Sequence, residues 1–492
     1  MLNKESVDLT NFYKNLHKSA YTSLHHIKLI SDFDDENWGK CYRECFLSMK
    51  ELLDFQKSIK SEITDLEICR SAYYLSWLEN ANYCRTGDFI YLNNAKDFFH
   101  LVRKICHFKD KRKRFTMDEV DRISKYYSRF IWICMLVNDK ILVRDLLEEF
   151  KVFISINKSL MQADKFYTYN DCITRTNNFY NSLQLFNVVE TNSDFYNIEN
   201  RLVSTNQNII SHSSLTLSEV IICSFTEKQI EFDGRTPDIF RVWQLFECLP
   251  KCCLRNPIKR VLNKPRLHEL KACFLRSITR LKFNNAFVCY ISADSYDLNK
   301  ITVSDDDSGA SINPNLLVCY TRAPLLLIVD SKDSDIFRDL KSPFNKPLIC
   351  LLSPRILPPE SKYDTKHGNL FTLFLSCPIA ALSIICDKKC IEKKQWNRAQ
   401  DYLEEFNEMC LSIIKKRIIL KEYLSFISDP FMKKIILSYC FCSVVLRSHK
   451  YFNKPEYHPL SNPPIETILS ENADLKAIVY SISRVAKLNE FF

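Results

Sequence analysis

The chain has 492 residues, 46% of them hydrophobic, with 34 Phe and 23 Tyr; that is enough apolar material for two or three domains with real cores, and it excludes a disordered chain. Its 68 Lys and Arg against 59 Asp and Glu leave a net charge of +9, a mild excess that permits a nucleic-acid or acidic-protein partner without requiring one. The 21 cysteines are scattered along the whole length with no CxxC pair, so they read as thiols of a reducing compartment, cytosol or nucleus, and not as a disulfide framework or a zinc site.

The polar start MLNKESVDLTNFYK lacks the apolar stretch of a secretory leader, which agrees with that compartment. From there to residue 192 the periodicity predicts an all-helical domain, with apolar positions at helical spacing in 66–78, 91–108, 118–137 and 141–156. The link RTGD at 85–88 suits neighbouring helices, and no clean repeat of a helical solenoid follows. In the loop at 109–114, Lys109, Lys111, Arg112, Lys113 and Arg114 form a candidate nuclear-import signal, or equally a solvated interhelical loop. Residues 193–208 are polar and read as a linker.

Residues 209–392 have α/β character. EVIICSF at 219–225 predicts a strand, and TPDIFRVWQLFECL predicts a helix that starts at Thr236 and Pro237. Four segments, 286–292, 325–330, 347–353 and 370–375, are apolar throughout and are expected to share one mainly parallel sheet, with a short crossover helix over 333–340. The uncharged run 369–386 falls short of the about 20 residues of a spanning helix and carries Pro378 inside it. It is read as a buried strand followed by a helix with Ser376 or Cys377 near its N-cap, so a membrane is not expected. From 393 to 492 the pattern returns to helices packing on the α/β domain.

Several of the strands end in polar residues, and Asp294, Asp330, Ser331 and Ser353 form a candidate strand-end cleft, the edge where open parallel sheets bind ligands. Asp and Ser are also preferred helix caps. Asp330 sits in DSKDS, where Lys332 stands in place of the second Asp of a phosphatase motif and of the first Ser of a DxSxS metal site. Its expected role is to cap the turn and helix that follow it. The glycines exclude more: Gly39, Gly87, Gly234, Gly309 and Gly368 are the whole complement and stand far apart. Phosphate loops, dinucleotide fingerprints, kinase loops and the GxSxG elbow all need glycines clustered within a few residues. No catalytic residue, cofactor or metal is expected, nor binding of ATP, GTP or NAD.

Between 251 and 282 lie ten basic residues, Lys251, Arg255, Lys259, Arg260, Lys264, Arg266, Lys271, Arg276, Arg280 and Lys282, against the single acid Glu269. With Leu267, Leu270, Phe274, Ile278 and Leu281 at helical spacing, part of this stripe is expected to face outward. It could grip phosphates or an acidic partner, or simply be a solvated face.

The segments TRAPLLLIVDSKDSDIF, KPLICLLSP and GNLFTLFLSCPIAAL, in that order, resemble the suppressor of cancer cell invasion (SCAI) family. NPIKRVLNKPRLHEL upstream, YLSWLENANYCRTGDFIYLNNAKDFF in the helical part and the terminal NEFF carry the same resemblance, which runs from roughly residue 40 onward. It departs before that point, in the basic loop FKDKRKRF and at ISADSY. The resemblance implies a non-enzymatic transcriptional co-regulator of nucleus and cytoplasm. Its implied partners are transcription factors or coactivators of the myocardin-related type, repressed with serum response factor downstream of Rho and actin signalling. No active-site residues come with it. The rivals are a nucleic-acid-binding protein using the 251–282 stripe and an enzyme working near Asp294 and Asp330.

Overall fold

The N-terminal helices follow from their punctuation. Among the described residues these are α1 (Leu2–Lys28), α2 (Asp35–Ser58), α3 (Asp65–Thr86), α4 (Phe89–Ile105), α5 (Met117–Val137), α6 (Lys140–Ile156) and α7 (Ala163–Leu183). Thr64 and Glu67 close a capping box at the start of α3, and Thr116 and Glu119 do the same for α5. Gly87 ends α3 at φ 67°, and Asn138 ends α5 at φ 64°, the left-handed turn whose backbone N–H donates to the last carbonyls of a helix. Each helix from α1 to α5 packs on the next in sequence. Phe99, Tyr127, Phe130, Phe150 and Phe153 form an aromatic core between α4, α5 and α6.

The computed structural model describes residues 2–30, 35–59, 63–105, 115–161, 163–190, 195–202, 215–232, 234–249, 254–294, 301–302, 311–416 and 421–488. The chain forms two compact units, Met1–Asn177 and Asn178–Phe492. Lys109, Lys111, Arg112, Lys113 and Arg114 lie outside the described residues, as do Lys251 and the terminal NEFF.

The second unit runs β1 (Asn187–Val189), β2 (Phe195–Tyr196), β3 (Thr216–Phe225), α8 (Pro237–Leu245), β4 (Ile258–Asn263), α9 (Leu267–Arg280) and β5 (Asn285–Ala293). It continues with β6 (Ile301–Thr302), β7 (Ser311–Ile312), α10 (Pro314–Val318), β8 (Leu325–Ser331), β9 (Leu348–Leu352), α11 (Leu370–Ser376), α12 (Pro378–Ile385) and β10 (Cys390–Glu392). It ends with α13 (Lys393–Lys416), α14 (Lys421–Phe426), α15 (Pro430–Ser448), β11 (Leu460–Asn462), α16 (Glu466–Ser470) and α17 (Ala473–Val485). The fold is α+β: helices first, then a mainly parallel sheet with C-terminal helices. Within the segment read as a linker, Phe195–Tyr196 forms β2 against β1, and Arg201 is buried.

The main sheet has the order β11-β9-β8-β5-β3-β4. The five strands from β9 to β4 are parallel, and β11 pairs antiparallel on the β9 side. Every residue of β8 and β9 is buried, which is why neither shows alternation. Numbered along the chain, the parallel strands stand in the order 2-1-3-4-5 of a doubly wound sheet, and the order reverses between β3 and β5.

Three expectations need correction. Residues 370–375 are not a strand but the body of α11, and a break in the helix at Cys377, before Pro378, separates it from α12. An apolar run of that length carries no period that separates strand from helix, and here packing on α8 and α15 decides. The crossover over 333–340 is only a 3-10 turn, Ser334–Phe337. The short strand β11 has no counterpart among the expected elements. Among the described residues, no helix is long and apolar enough to cross a membrane.

Candidate functional site

The C-terminal ends of β5 and β8 present Ser292, Asp294, Asp330 and Ser331, and β9 ends against Ser353. A ligand of a doubly wound protein would enter here. The chain fills the place with its own groups. Asp330 is 4% exposed, and its Oδ2 accepts from the backbone N–H of Thr372 at 3.2 Å and from the Thr372 hydroxyl at 2.6 Å. Thr372 is the third residue of α11. Asp330 is therefore a helix cap, as its sequence context suggested, but it caps a helix forty-two residues further on and not the turn that follows it.

Asp238, in the first turn of α8, completes the arrangement. Its two oxygens accept from the Asn369 N–H at 3.0 Å each, and Gln229 donates to Oδ2 at 2.5 Å. Arg241 stands one turn on, with Nη1 3.7 Å from Asp238. It donates to the His367 carbonyl at 2.8 Å and to the Ser182 carbonyl at 3.4 Å. Gly368 passes between these groups at φ 103°, and a Cβ there would collide with the Arg241 guanidinium and lie 2.6 Å from the Asp238 carboxylate. No other residue fits that position. Burial pushes both carboxyls up; for Asp330 the charge of Asp238 adds to it, whereas Arg241 partly offsets it for Asp238. Nearby, the Tyr290 hydroxyl meets the Thr372 hydroxyl at 2.6 Å, and Asn369 donates to Ser292 at 3.3 Å.

The other strand-end candidates have equally local duties. Ser353 donates its hydroxyl to the Ser331 carbonyl and receives the Ser331 N–H, each at 3.0 Å, so the two tie β8 to the end of β9. Asp294 accepts the N–H groups of Glu227 and Lys228 at 3.0 and 3.1 Å, closing the loop after β3 at the point where the strand order reverses. Asp330, Ser331 and Ser353 are brought together; Asp294 serves the adjacent loop. Sequence reasoning missed Asp238, Arg241, Asn369 and Thr372. The signal for Asp238 was present in TPDIFR, but an acid in a first helical turn looks the same whether it faces water or the interior.

The basic stripe divides in two. Lys259 and Arg260 lie in β4, not on a helix, and both are buried. Lys259 Nζ is 3.2 Å from Glu247, which also binds Arg201 at 2.7 Å, and Arg260 lies 3.7 Å from Glu219. They cannot meet phosphates at the surface. A buried cation must be paired, and these strand positions face acids of the same unit. Arg255, Lys264, Arg266, Lys271, Arg276, Arg280 and Lys282 are exposed, and the helical spacing read from Leu267, Leu270 and Phe274 corresponds to α9. Lys264 reaches Glu231 at 3.8 Å, and the Arg266 N–H caps against Glu269 at 2.9 Å.

The family model described as Protein SCAI matches residues 15–255 and 295–452. The chain belongs to the SCAI family. It is 25% identical to Protein SCAI of Homo sapiens over 548 aligned positions, covering 99% of this chain and 90% of that protein. It is 22% identical to the Protein SCAI homolog of Dictyostelium discoideum, covering 92% and 87% of the two chains. No solved structure matches it. Asp238, Asp330, Gly368 and Thr372 all fall inside the stretches that the SCAI model matches, whereas β4, α9 and β5 lie between them. The exposed basic face of α9 is thus outside the matched SCAI segments.

Proposed function

We propose that this protein is a transcriptional co-regulator of the corepressor kind that acts in nucleus and cytoplasm by binding other proteins, without chemistry of its own. Membership of the SCAI family supports the regulatory role. The observation that carries the non-catalytic part is the filled strand-end edge: Asp330 and Asp238 are buried and turned inward onto α11 and Asn369. An aspartate whose lone pairs hold backbone and hydroxyl donors at the root of a helix is engaged in folding. The partners in this reading are myocardin-related coactivators and the serum response factor programme downstream of Rho and actin, with 109–114 as import signal.

Affinity purification of the tagged full chain from nuclear extract, read by mass spectrometry beside a serum-response reporter, tests this. Expected are transcription factors or coactivators in the eluate and reporter output that rises when the protein is depleted. A reporter indifferent to its level would overturn the proposal. Direct nucleic-acid binding is the second reading, resting on the exposed Lys271, Arg276 and Arg280 of α9. It predicts a salt-dependent gel shift at low ionic strength.

A further inference from the structure

Helices α1, α3 and α5 of the first unit line a cavity of about 500 Å³ whose walls differ in chemistry. One wall is cationic. Arg122, Lys125 and Arg129 follow one another at helical spacing along α5, all exposed, and Arg70 of α3 joins them. The acid in the lining, Glu119, is held in its capping box, accepting the Thr116 N–H at 2.8 Å. The other wall is aromatic: Tyr73 and Tyr74 of α3, with Tyr21 of α1 edge-on to Tyr74 at 5.7 Å. Arg129 stacks over the Tyr73 ring at 5.4 Å and donates to its hydroxyl. Lys28, above the rings of Tyr74 and Trp77, has its ammonium pKa lowered by burial and then by Arg129. Positive charge is crowded here beside apolar ring surface.

The spacing selects the ligand. From Arg122 to Arg129 the backbone of α5 rises about two helical turns, roughly 10 Å, so the cations spring from a row along the helix that is longer than a single phosphate group. A row of carboxylates at the same helical spacing matches it, and the tyrosine wall takes the apolar side chains on the adjacent face. We propose that this groove docks an acidic amphipathic helix of a protein partner, with carboxylates along Arg122, Lys125 and Arg129 and an apolar anchor on Tyr73 and Tyr74. The inference rests on the protein-interaction reading for the class of partner, and it names the surface that reading lacks.

The test is fluorescence anisotropy on the full chain with a labelled peptide of about five helical turns, Glu and Asp on one face, Leu and Phe on the other. Comparison probes are the same peptide with Gln and Asn for its acids, the same peptide with Ser for Leu and Phe, and an oligothymidylate of equal charge. The acidic amphipathic peptide should bind with a Kd in the micromolar range, and raising salt from ~0.05 M to ~0.5 M should weaken it about tenfold. R122Q/K125Q should weaken it several-fold and R122E/K125E about tenfold or more, with melting curves checking that each variant is folded. Both altered peptides should bind worse than the parent. Binding unchanged in R122E/K125E, or equal binding of the Gln/Asn peptide, would overturn the proposal. So would an oligothymidylate that competes with the peptide at equal charge, since that would make the groove a phosphate-backbone site. The reporter separates the two readings: peptide binding with an indifferent reporter removes the co-regulator and keeps the groove, whereas repression without peptide binding does the reverse.

Discussion

The strand-end cluster of the second unit and the α1–α3–α5 groove of the first are both rich in charge and tyrosine, yet they are opposite in kind. In the cluster every ionisable group named has its partner inside the same unit: Asp330 on Thr372, Asp238 on Asn369 and Gln229, Arg241 on two carbonyls. In the groove the cations of α5 stand exposed beside aromatic rings, and their one lining acid is engaged elsewhere. Charges turned inward set the fold; charges turned outward are free to choose partners. The location expected for ligand binding in a doubly wound sheet is thus used for architecture, and a helical surface takes the role of recognition.

If that contrast is right, breaking the inward charges should cost stability, and the largest loss should come where one acid serves two cations. Glu247 binds Arg201 at 2.7 Å and Lys259 at 3.2 Å, all with side chains essentially inaccessible. Glu247→Ala takes the shared carboxylate from both buried cations, with Arg201 keeping Glu199 at 3.4 Å and Lys259 the Phe246 carbonyl at 3.2 Å, and about 3–5 kcal/mol should be lost in chemical denaturation. Destabilisation of under about 1 kcal/mol would mean that water reaches these cations. Gly368→Ala comes next. It forces a Cβ against Arg241 and Asp238 at φ 103°, where an L side chain is strained, and about 2–4 kcal/mol should be lost. Gly39, whose Cβ would meet nothing within 4 Å, is the control that should tolerate alanine.

Asp330 gives a smaller effect with a pH signature. Asp330→Ala leaves the Thr372 N–H and hydroxyl without their acceptor and should cost about 1–3 kcal/mol. Asp330→Asn keeps an acceptor and mimics the neutral acid, so it should cost little near neutrality. The carboxyl is pushed up to about 8 in the folded chain, above the roughly 3.9 of an unfolded aspartate. The native state therefore holds the proton more tightly, and the stabilisation this confers is complete below about pH 4 and lost as pH rises toward 8. Asn has no proton to lose. The stability of Asp330→Asn relative to the parent should rise with pH across that window, by no more than about 1.4 kcal/mol per unit. A flat difference between the two melts from pH 5 to pH 9 would show that Asp330 is ionised throughout.

Much of this architecture was legible in the chain. Thr64 with Glu67 and Thr116 with Glu119 announce helix starts, Thr236 and Pro237 another, and LLLIVDS shows a strand covered on both faces. What failed did so for want of a local signal. LFTLFLS lacks any period, so the choice of α11 over a strand came from Asp330 and the packing of α8 and α15. Lys259 and Arg260 looked like surface cations because a sequence lists charges without the acids that face them; Glu247 and Glu219 come from other elements. The Asp238–Gly368 contact joins positions 130 residues apart, and nothing in TPDIFR or HGNL foretells it.

The smallest expected effect is also the most discriminating. Arg122 and Lys125 are exposed on α5, and replacing both with Gln removes charge without creating new repulsion against Asp118, Glu119 or Asp121 on the same helix. Gln is nearly as good a helix former as Arg or Lys, so propensity does not enter. Stability should stay within about 0.5 kcal/mol of the parent, in contrast to Glu247→Ala, although each substitution removes two cations from their electrostatic setting. If these cations instead help to hold α1 against α3 and α5, the double variant will melt measurably lower, and salt will mimic the substitution by screening the same interaction. An unchanged melting temperature together with weakened peptide binding assigns the pair to recognition; a lowered one assigns it to the fold and erases the contrast between the two regions.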